Sequence, residues 1–335
     1  MAQHNTHTNL IIGYLALTIA IFGSIQTAYS DNQEFLRPEA IPAPLDNPLT
    51  PERIALGEAL FFDPRLSGKN EMSCASCHQP DKGWASNSLV EKIGTQRVMH
   101  QRSVPTLINV AYQRHFSWIG RFRTLEQQIL EPLTHADEMN QDTKELINEL
   151  NQIEDYRKMF ELAYPGDKIS IKTITKAIAS FERSLVSTEA PFDRWIKGDE
   201  VAISQAAKQG FKLFEGKANC IACHHGFNFT DNSFHNSGVT GSNDLGRFSL
   251  IPIKSLKGAF KTPTLRNVTK TAPYMHSGKY LTLEEVIKHY NRGGDVKPPI
   301  DPNIVPLFLT EMEEKNLLAF LKTLTDIETP TTGQH

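Results

Sequence analysis

Cys74-Ala75-Ser76-Cys77-His78 and Cys220-Ile221-Ala222-Cys223-His224 constrain this chain more than any other feature, because one pattern stands in both halves and uses all four cysteines. Two thiols at this spacing can each form a thioether to one porphyrin edge, leaving the adjacent imidazole to reach the iron. Both pentads therefore read as covalent haem c sites. Cys74, Cys77, Cys220 and Cys223 are the attachment points, and His78 and His224 the proximal iron ligands. Paired CxxC is also a zinc pattern, but zinc does not require a histidine directly after the second cysteine of both pairs. A thioredoxin-like redox motif would occur once, near a βαβ pattern that is missing here.

At 335 residues the chain has room for about two ordinary domains, which suits two haem pentads. A net charge of -3 and a pI near 6.5 argue against a nucleic-acid partner. Residues 1–9 are polar, an apolar run follows from Leu10 to about Ile25, and Ala28-Tyr29-Ser30 places small residues at -3 and -1. Residues 1–30 thus read as a secretory signal, although its n-region lacks Lys and Arg. An uncleaved anchor is the competing reading, but the run falls short of the roughly 20 residues a span needs. Export suits c-type haem, which is attached outside the bacterial cytoplasm. A periplasmic protein with no stable span after cleavage is expected.

Residues 31–49 carry Pro38, Pro42, Pro44 and Pro48 and read as a structureless approach segment. Thr50 as N-cap with Pro51 at N1 begins a helix ending near Asp63-Pro64. Gly57-Glu58-Ala59-Leu60-Phe61 and Gly210-Phe211-Lys212-Leu213-Phe214 share G-x-x-L-F ahead of each pentad, a weak internal repeat of one cytochrome c unit. Between the pentads the pattern is helical, with capping signals at Thr124 to Gln127 and at Asp142 with Glu145. Ile171, Ile174, Ile178, Phe181 and Leu185 form a core stripe. Residues 186–200, with Pro191 and Gly198, read as the crossing between domains, and 228–261 as loop. Helices return at 282–290 and, from a capping box at Thr310 and Glu313, over 310–324. No period-2 stretch of useful length appears. The expected fold class is all-α, with two cytochrome c-like domains over 50–190 and 191–330 and long loops that enclose haem.

The face of each haem opposite its histidine decides its work: a second strong ligand favours electron transfer, and an open face admits peroxide. The residues alone leave many candidates. For the first haem they are Met99, His100, His115, His135 and Met139; for the second, His225, His235, Met275, His276, His289, Tyr290 and Met312. His225, directly after a ligand, is expected to point away from its own iron.

Further signposts are Pro105-Thr106-Leu107-Ile108-Asn109, Trp118-Ile119-Gly120-Arg121, Pro263-Thr264-Leu265-Arg266-Asn267-Val268 and Ala272-Pro273-Tyr274-Met275-His276-Ser277-Gly278. With the pentads they make the chain, from about Thr50 to Leu324, resemble the MauG branch of the bacterial di-haem cytochrome c peroxidases. The resemblance implies that Tyr290 is the far ligand of the second haem, where conventional peroxidases have Met. It places Met275 in the loop before that helix. The alternative is a buried Tyr290 phenol with His289 as ligand. A thioether stabilises ferrous iron, whereas a phenolate oxygen stabilises ferric and higher states. Thr95 stands where conventional members have a blocking His, with His100 nearby in another register, which implies a first haem open on one face. Glu138 matches the acid/base carboxylate of the peroxide pocket, Gln128 the amide beside it and Pro132 its wall; the bland alternatives are a solvated surface carboxylate for Glu138 and core packing for Trp118. Trp118 matches the tryptophan between the haems. Thr271 and Pro273 match the carbonyls of an interdomain calcium, with Ser103 where Asn is usual. The surface Trp that precedes the second pentad in MauG proteins is replaced by Ala218-Asn219.

What the resemblance implies is a peroxidatic domain over 50–190 and an electron-transfer domain over 191–330. The expected activity is peroxide-dependent oxidation of protein tryptophans, forming the tryptophan tryptophylquinone of methylamine dehydrogenase from its precursor. One rival is a cytochrome c peroxidase that reduces hydrogen peroxide with electrons from a small cytochrome. A rival of another class is a di-haem electron carrier.

Overall fold

The computed structural model describes residues 33–327 apart from 94–95, 100–101, 240–242 and 297–299, with the side chains of 90–93 and 96–99 also outside the description. The expected signal over residues 1–30, Thr95, His100 and the Met99 side chain lie outside the described residues. Among the described residues no helix is long and apolar enough to cross a membrane.

The fold is mostly helical. The first half contains α1 (Pro51–Phe61), α2 (Leu125–Thr134), α3 (Thr143–Gln152), α4 (Glu154–Ala163) and α5 (Ile171–Ser184). The second contains α6 (Pro191–Ile196), α7 (Gln205–Glu215), α8 (Leu283–Asn291) and α9 (Glu311–Lys322). Side-chain caps set the starts, since the first helical N–H groups have no partner within the helix. Thr50 Oγ1 accepts from the Arg53 N–H at 3.3 Å and Ser204 Oγ from the Ala207 N–H at 3.2 Å. Thr310 and Glu313 close a reciprocal box at 3.3 and 2.8 Å. At Thr124 the box stays half-formed, because the Gln127 carboxamide accepts from the Arg123 N–H instead.

The G-x-x-L-F repeat has a steric cause. α1 crosses α5 so closely that a Cβ on Gly57 would lie 2.0 Å from the Ala177 carbonyl oxygen. α7 crosses α9 in the same way, with a Cβ on Gly210 falling 1.9 Å from the Asn316 oxygen. Only glycine permits backbones to meet at this distance.

The repeat continues beyond these crossings. Thr106 and Thr264 donate their hydroxyls to the Gly83 and Asn228 carbonyls at 2.6 and 2.8 Å. Asn109 (φ 60°) and Asn267 (φ 58°) both take the left-handed conformation that Asn tolerates. Their N–H groups donate to the Leu185 and Leu324 carbonyls at 2.8 and 3.0 Å. Those bonds tie each Pro-Thr-Leu turn to the end of its domain's last helix.

Two apolar cores result. One gathers Leu56, Leu60, Phe61, Trp84, Ile178 and Phe181, the other Phe192, Phe211, Phe214, Phe229, Leu317 and Phe320. The second also contains Phe35, which is 1% exposed and packs edge-on against Phe192 and Phe211 and stacks on Phe229. The expectation of a structureless approach over 31–49 is therefore corrected. Arg266 holds the Phe35 carbonyl at 3.3 Å, Arg37 reaches the Ser187 carbonyl at 2.9 Å, and buried Asn47 bonds the Lys176 carbonyl and Ser180 hydroxyl. The segment is a strap from the second core to the first.

Two further expectations change. The crossing is shorter than 186–200, because Pro191 opens α6 and buries Phe192 in the second core. Short strands also exist: β1 (Val90–Ile93) pairs antiparallel with β2 (Gln96–Met99), and β3 (Phe234–His235) with β4 (Phe260–Lys261). The second pair lies within the stretch expected to be loop. Two-residue pairing leaves no alternating pattern long enough to read from sequence.

The halves meet through reciprocal backbone bonds. The Ser103 N–H donates to the His276 carbonyl at 2.7 Å, and the Lys261 N–H to the Trp118 carbonyl at 2.8 Å. Ser103 and Lys261 each stand two residues before a Pro-Thr-Leu turn, so the junction repeats the internal symmetry.

Candidate functional site

One continuous cavity of about 520 Å³ opens into both halves and is lined by both pentads. Each pentad begins in a single 3-10 turn, Cys74–Ser76 or Cys220–Ala222. In the first, His78 Nδ1 lies 3.1 Å from the Trp84 carbonyl; in the second, His224 Nδ1 lies 2.8 Å from the Phe229 carbonyl. A carbonyl only accepts, so Nδ1 carries the proton and Nε2 keeps a lone pair for a metal. Burial lowers the His224 pKa, which also favours the neutral, ligating form. Burial raises the thiol pKa values, that of Cys220 to about 12 and that of Cys74 further, so these sulfurs sit in apolar surroundings and not in a cationic thiolate site.

The residues present fit haem. The walls are apolar, with Leu107, Leu125 and Ile129 on one side and Leu265, Leu283 and Ile287 on the other. Gln128 Oε1 is a buried acceptor on the cavity wall with no hydrogen-bond partner among the described residues. A buried unpaired acceptor is costly unless a bound group or water satisfies it.

Around the first pentad the cavity gathers Trp118, Gln128, Pro132, Glu138 and Met139. Glu138 stands at the mouth with its side chain open to solvent, yet the surrounding protein raises its pKa by desolvation, partly opposed by His135. Trp118 donates its indole N–H to the Ser103 carbonyl at 2.7 Å. His115 and His135 do not line the cavity; the first lies beside Arg123 and the second accepts the Asp137 N–H.

Around the second pentad the cavity gathers His235, Met275, His276 and Tyr290. Half-buried Tyr290 lies close enough to Cys220 and Cys223 for them to perturb it, and desolvation is the main cause of its raised pKa. His289, next in the chain, does not line the cavity. Its Nδ1 meets the Tyr280 hydroxyl at 3.0 Å and its Nε2 donates to the Ser237 carbonyl at 2.8 Å. Helical geometry turns consecutive side chains by about 100°, so one faces inward and the other into this network. His235 is held between Asp231 and Asp301 at 2.8 and 2.6 Å, which raises its pKa to about 11. His276 stacks on Phe260 with centroids 3.6 Å apart. His225 is exposed and bonds the Ile221 carbonyl, as expected of a residue pointing away, and Met312 is exposed.

The three positions matched to calcium share the cavity wall. They offer only neutral oxygens, and Ser103 donates its hydroxyl to the Met275 carbonyl at 2.8 Å. Calcium sites ordinarily include carboxylates, and an ion here would have to draw on carbonyls and water alone.

Two cavity residues escaped the sequence reading. Glu182 interrupts the apolar stripe of α5 and lines the first site, a signal that a charge inside a core stripe could have provided. Lys261 is buried at the junction and donates to the His115 carbonyl at 2.9 Å; burial lowers its pKa to about 7. No local pattern marks it.

Comparison with known proteins agrees with this geometry. A family model for di-haem cytochrome c peroxidase matches residues 51–201, and one for cytochrome c matches 207–325. The methylamine utilization protein MauG of Methylorubrum extorquens is 43% identical over 322 residues, covering 93% of this chain and 91% of that protein. The protein of the same name from Methylophilus methylotrophus is 43% identical over 323 residues, covering 94% and 96%. The crystal structure of a MauG-like protein associated with microbial copper homeostasis superposes with a TM-score of 0.82 at 32% identity, covering 90% of this chain and 96% of that one. Two attachment pentads on one shared cavity, in a twice-repeated helical unit, thus have their explanation in descent: this chain belongs to the MauG-like di-haem cytochrome c peroxidases, a haem-dependent oxidoreductase family that implies c-type haem.

Proposed function

We propose that this chain is a periplasmic enzyme that uses hydrogen peroxide to oxidise tryptophans of a methylamine dehydrogenase precursor, completing its tryptophan tryptophylquinone. The observation that carries this reading is Tyr290, on the cavity wall with Cys220, Cys223 and His224 while His289 is held outside it. Two relatives at 43% identity bear the name methylamine utilization protein.

In this reading residues 50–190 form the peroxidatic domain and 191–330 the electron-transfer domain. Cys74 and Cys77, with His78 as iron ligand, hold one haem; Cys220 and Cys223, with His224 and Tyr290 as ligands, hold the other. The haem pair supplies the capacity to take two oxidising equivalents from peroxide and pass them on singly. Glu138 takes a proton from one peroxide oxygen and returns it to the other, so that the O–O bond breaks unevenly. Desolvation raises its pKa above the ordinary carboxylate range, which makes the protonated form easier to reach in a group that must both accept and donate. Gln128 offers its unpaired carbonyl oxygen to a peroxide O–H and so orients the substrate. Pro132, on the same wall, has no side-chain group that can bind a metal and would leave room for peroxide. Trp118 lies between the sites, and its N–H meets a neutral carbonyl that cannot take the proton away. An electron can therefore leave the indole without proton loss. Because Ala218-Asn219 precedes the second pentad, the outward route to the precursor uses another residue.

The deciding experiment is low-temperature EPR of the fully oxidised protein before and after about one equivalent of peroxide, without reductant. Loss of both ferric signals is expected. Unchanged signals, with turnover only after half-reduction by a small cytochrome, would replace this reading with a conventional cytochrome c peroxidase.

A further inference from the structure

Glu182 projects from α5 into the first lobe of the cavity and is 6% exposed, among Ile174, Ile178, Phe181 and Leu185. Only desolvation and the charges of Arg183 and Glu126 act on its carboxyl, and none of the described hydrogen bonds ends on it. Arg183 cannot serve as its partner, because both guanidinium arms are bonded to Glu126 at 2.8 and 3.1 Å. α1, packed against the same helix, presents uncharged Gly57 and Phe61. The cysteine turn presents Cys74, which feels the Glu182 charge.

The internal repeat shows that the carboxyl is not required by the fold. The Asn109 and Asn267 N–H groups donate to Leu185 and Leu324, which sets α5 and α9 in register. In that register Ile178 corresponds to Leu317 and Glu182 to Leu321, and all four line the cavity. The second half builds the same wall with leucine. An unpaired buried carboxyl is costly, and here it replaces an apolar residue that packs well in the sister position.

We propose that Glu182 is a positioning residue for electrons: it binds a proton when the iron centre held by His78 gains an electron and releases it on reoxidation. The inference rests on the reading of Cys74, Cys77 and His78 as a haem site. Where the carboxyl is ionised in the oxidised state, each electron delivered there by a one-electron donor brings one proton from solvent onto Glu182, so the net charge of the buried site is unchanged. In a low-dielectric wall such compensation is strong. Burial, opposed by Arg183 and reinforced by Glu126, raises the Glu182 pKa to about 8, which places the exchange in the working range.

The test is spectroelectrochemical titration of the haem-loaded full chain between about pH 6 and about pH 9.5, poised with small one-electron mediators. In the unmodified protein the reduction equilibrium of the first haem should shift up to tenfold toward the oxidised form per pH unit, about 59 mV for one electron. E182Q and E182L should abolish that slope and leave the second haem unchanged. A flat profile in the unmodified protein, or a slope that survives in either haem-loaded variant, overturns the proposal. Haem content is measured in parallel: fewer than two haems in the unmodified chain would mean that the site reading itself has failed. E182L, which copies the sister wall, keeps the test decisive if E182Q loads poorly.

Discussion

Pro132 on α2 and Tyr290 on α8 occupy the same place in the two halves. Each lies the same number of residues beyond its capping threonine, Thr124 or Thr282, and each lines the cavity. A pyrrolidine ring has no lone pair to offer a metal and a phenol oxygen has, so in the proposed reading this one helical position would set the two sites apart.

Replacing Tyr290 with Phe removes that oxygen and keeps the ring. The low-spin ferric signal of the second haem should convert to high-spin. Peroxide-driven oxidation of the precursor should fall at least about tenfold, ~1.4 kcal/mol of barrier. An unchanged low-spin EPR signal would place the ligand elsewhere, with His235, Met275 and His276 the remaining candidates on the wall.

Glu138→Gln should slow the peroxide reaction by about 10²- to 10⁴-fold, the usual weight of a general acid–base group, with haem content unchanged. The sign of the pH dependence follows from the raised pKa. As a base the carboxyl must be ionised, so the rate should fall as pH drops through a value above the ordinary carboxylate range. Stopped-flow mixing with peroxide across pH reads both effects, and a Gln variant with the same profile would remove Glu138 from the chemistry.

Gly57→Ala and Gly210→Ala each force a methyl group to about 2 Å from a backbone carbonyl. Overpacking of this kind costs about 1–3 kcal/mol or more, because neither backbone can retreat without separating a helix pair. Thermal unfolding of the haem-loaded protein should show both variants destabilised, and a loss below about 0.5 kcal/mol in either would mean that its helix pair relaxes easily.

Phe35→Ala empties a fully enclosed position in the second core and should cost about 3–5 kcal/mol. Calorimetry should find the loss in the transition that unfolds the second core. An unaffected transition would show that the strap adds nothing to that core.

Glu182 also makes stability depend on pH. Its folded pKa of about 8 lies above the ordinary 4.5, so the folded state prefers the protonated carboxyl. Its stabilising preference is fully present below pH 4.5 and is lost as pH rises toward about 8, at ~1.4 kcal/mol per unit of displacement. Glu182→Gln should therefore raise the melting temperature at pH 8 and change it little at pH 5. Equal effects at both pH values would mean that the carboxyl does not titrate in this window.

Local features were legible because local stereochemistry makes them. The pentads, the capping residues at Thr50, Asp142 and Thr310, the stripe on α5 and the paired glycines all act within a few residues of chain. Helix starts, attachment points and the two-fold repetition could be read without coordinates. The Phe35 strap could not, since four prolines signal an irregular path but say nothing of what one aromatic side chain meets beyond it.

By itself the sequence determined that two cysteine-histidine pentads sit in two copies of a helical unit. Tertiary structure decided which of many histidines, methionines and tyrosines face the cavity. His289 and Tyr290 are neighbours in the chain, yet Ser237 and Tyr280 claim the imidazole and leave the phenol inside. Glu182 belongs to the same class: on a helical wheel it is a flaw in an apolar stripe, and only the packing of α5 beside Cys74 places it on the cavity wall. The physical reason is range. Spacing and caps are fixed by bonds within a turn or two, whereas the inside of a site is fixed by contacts between segments far apart in the chain.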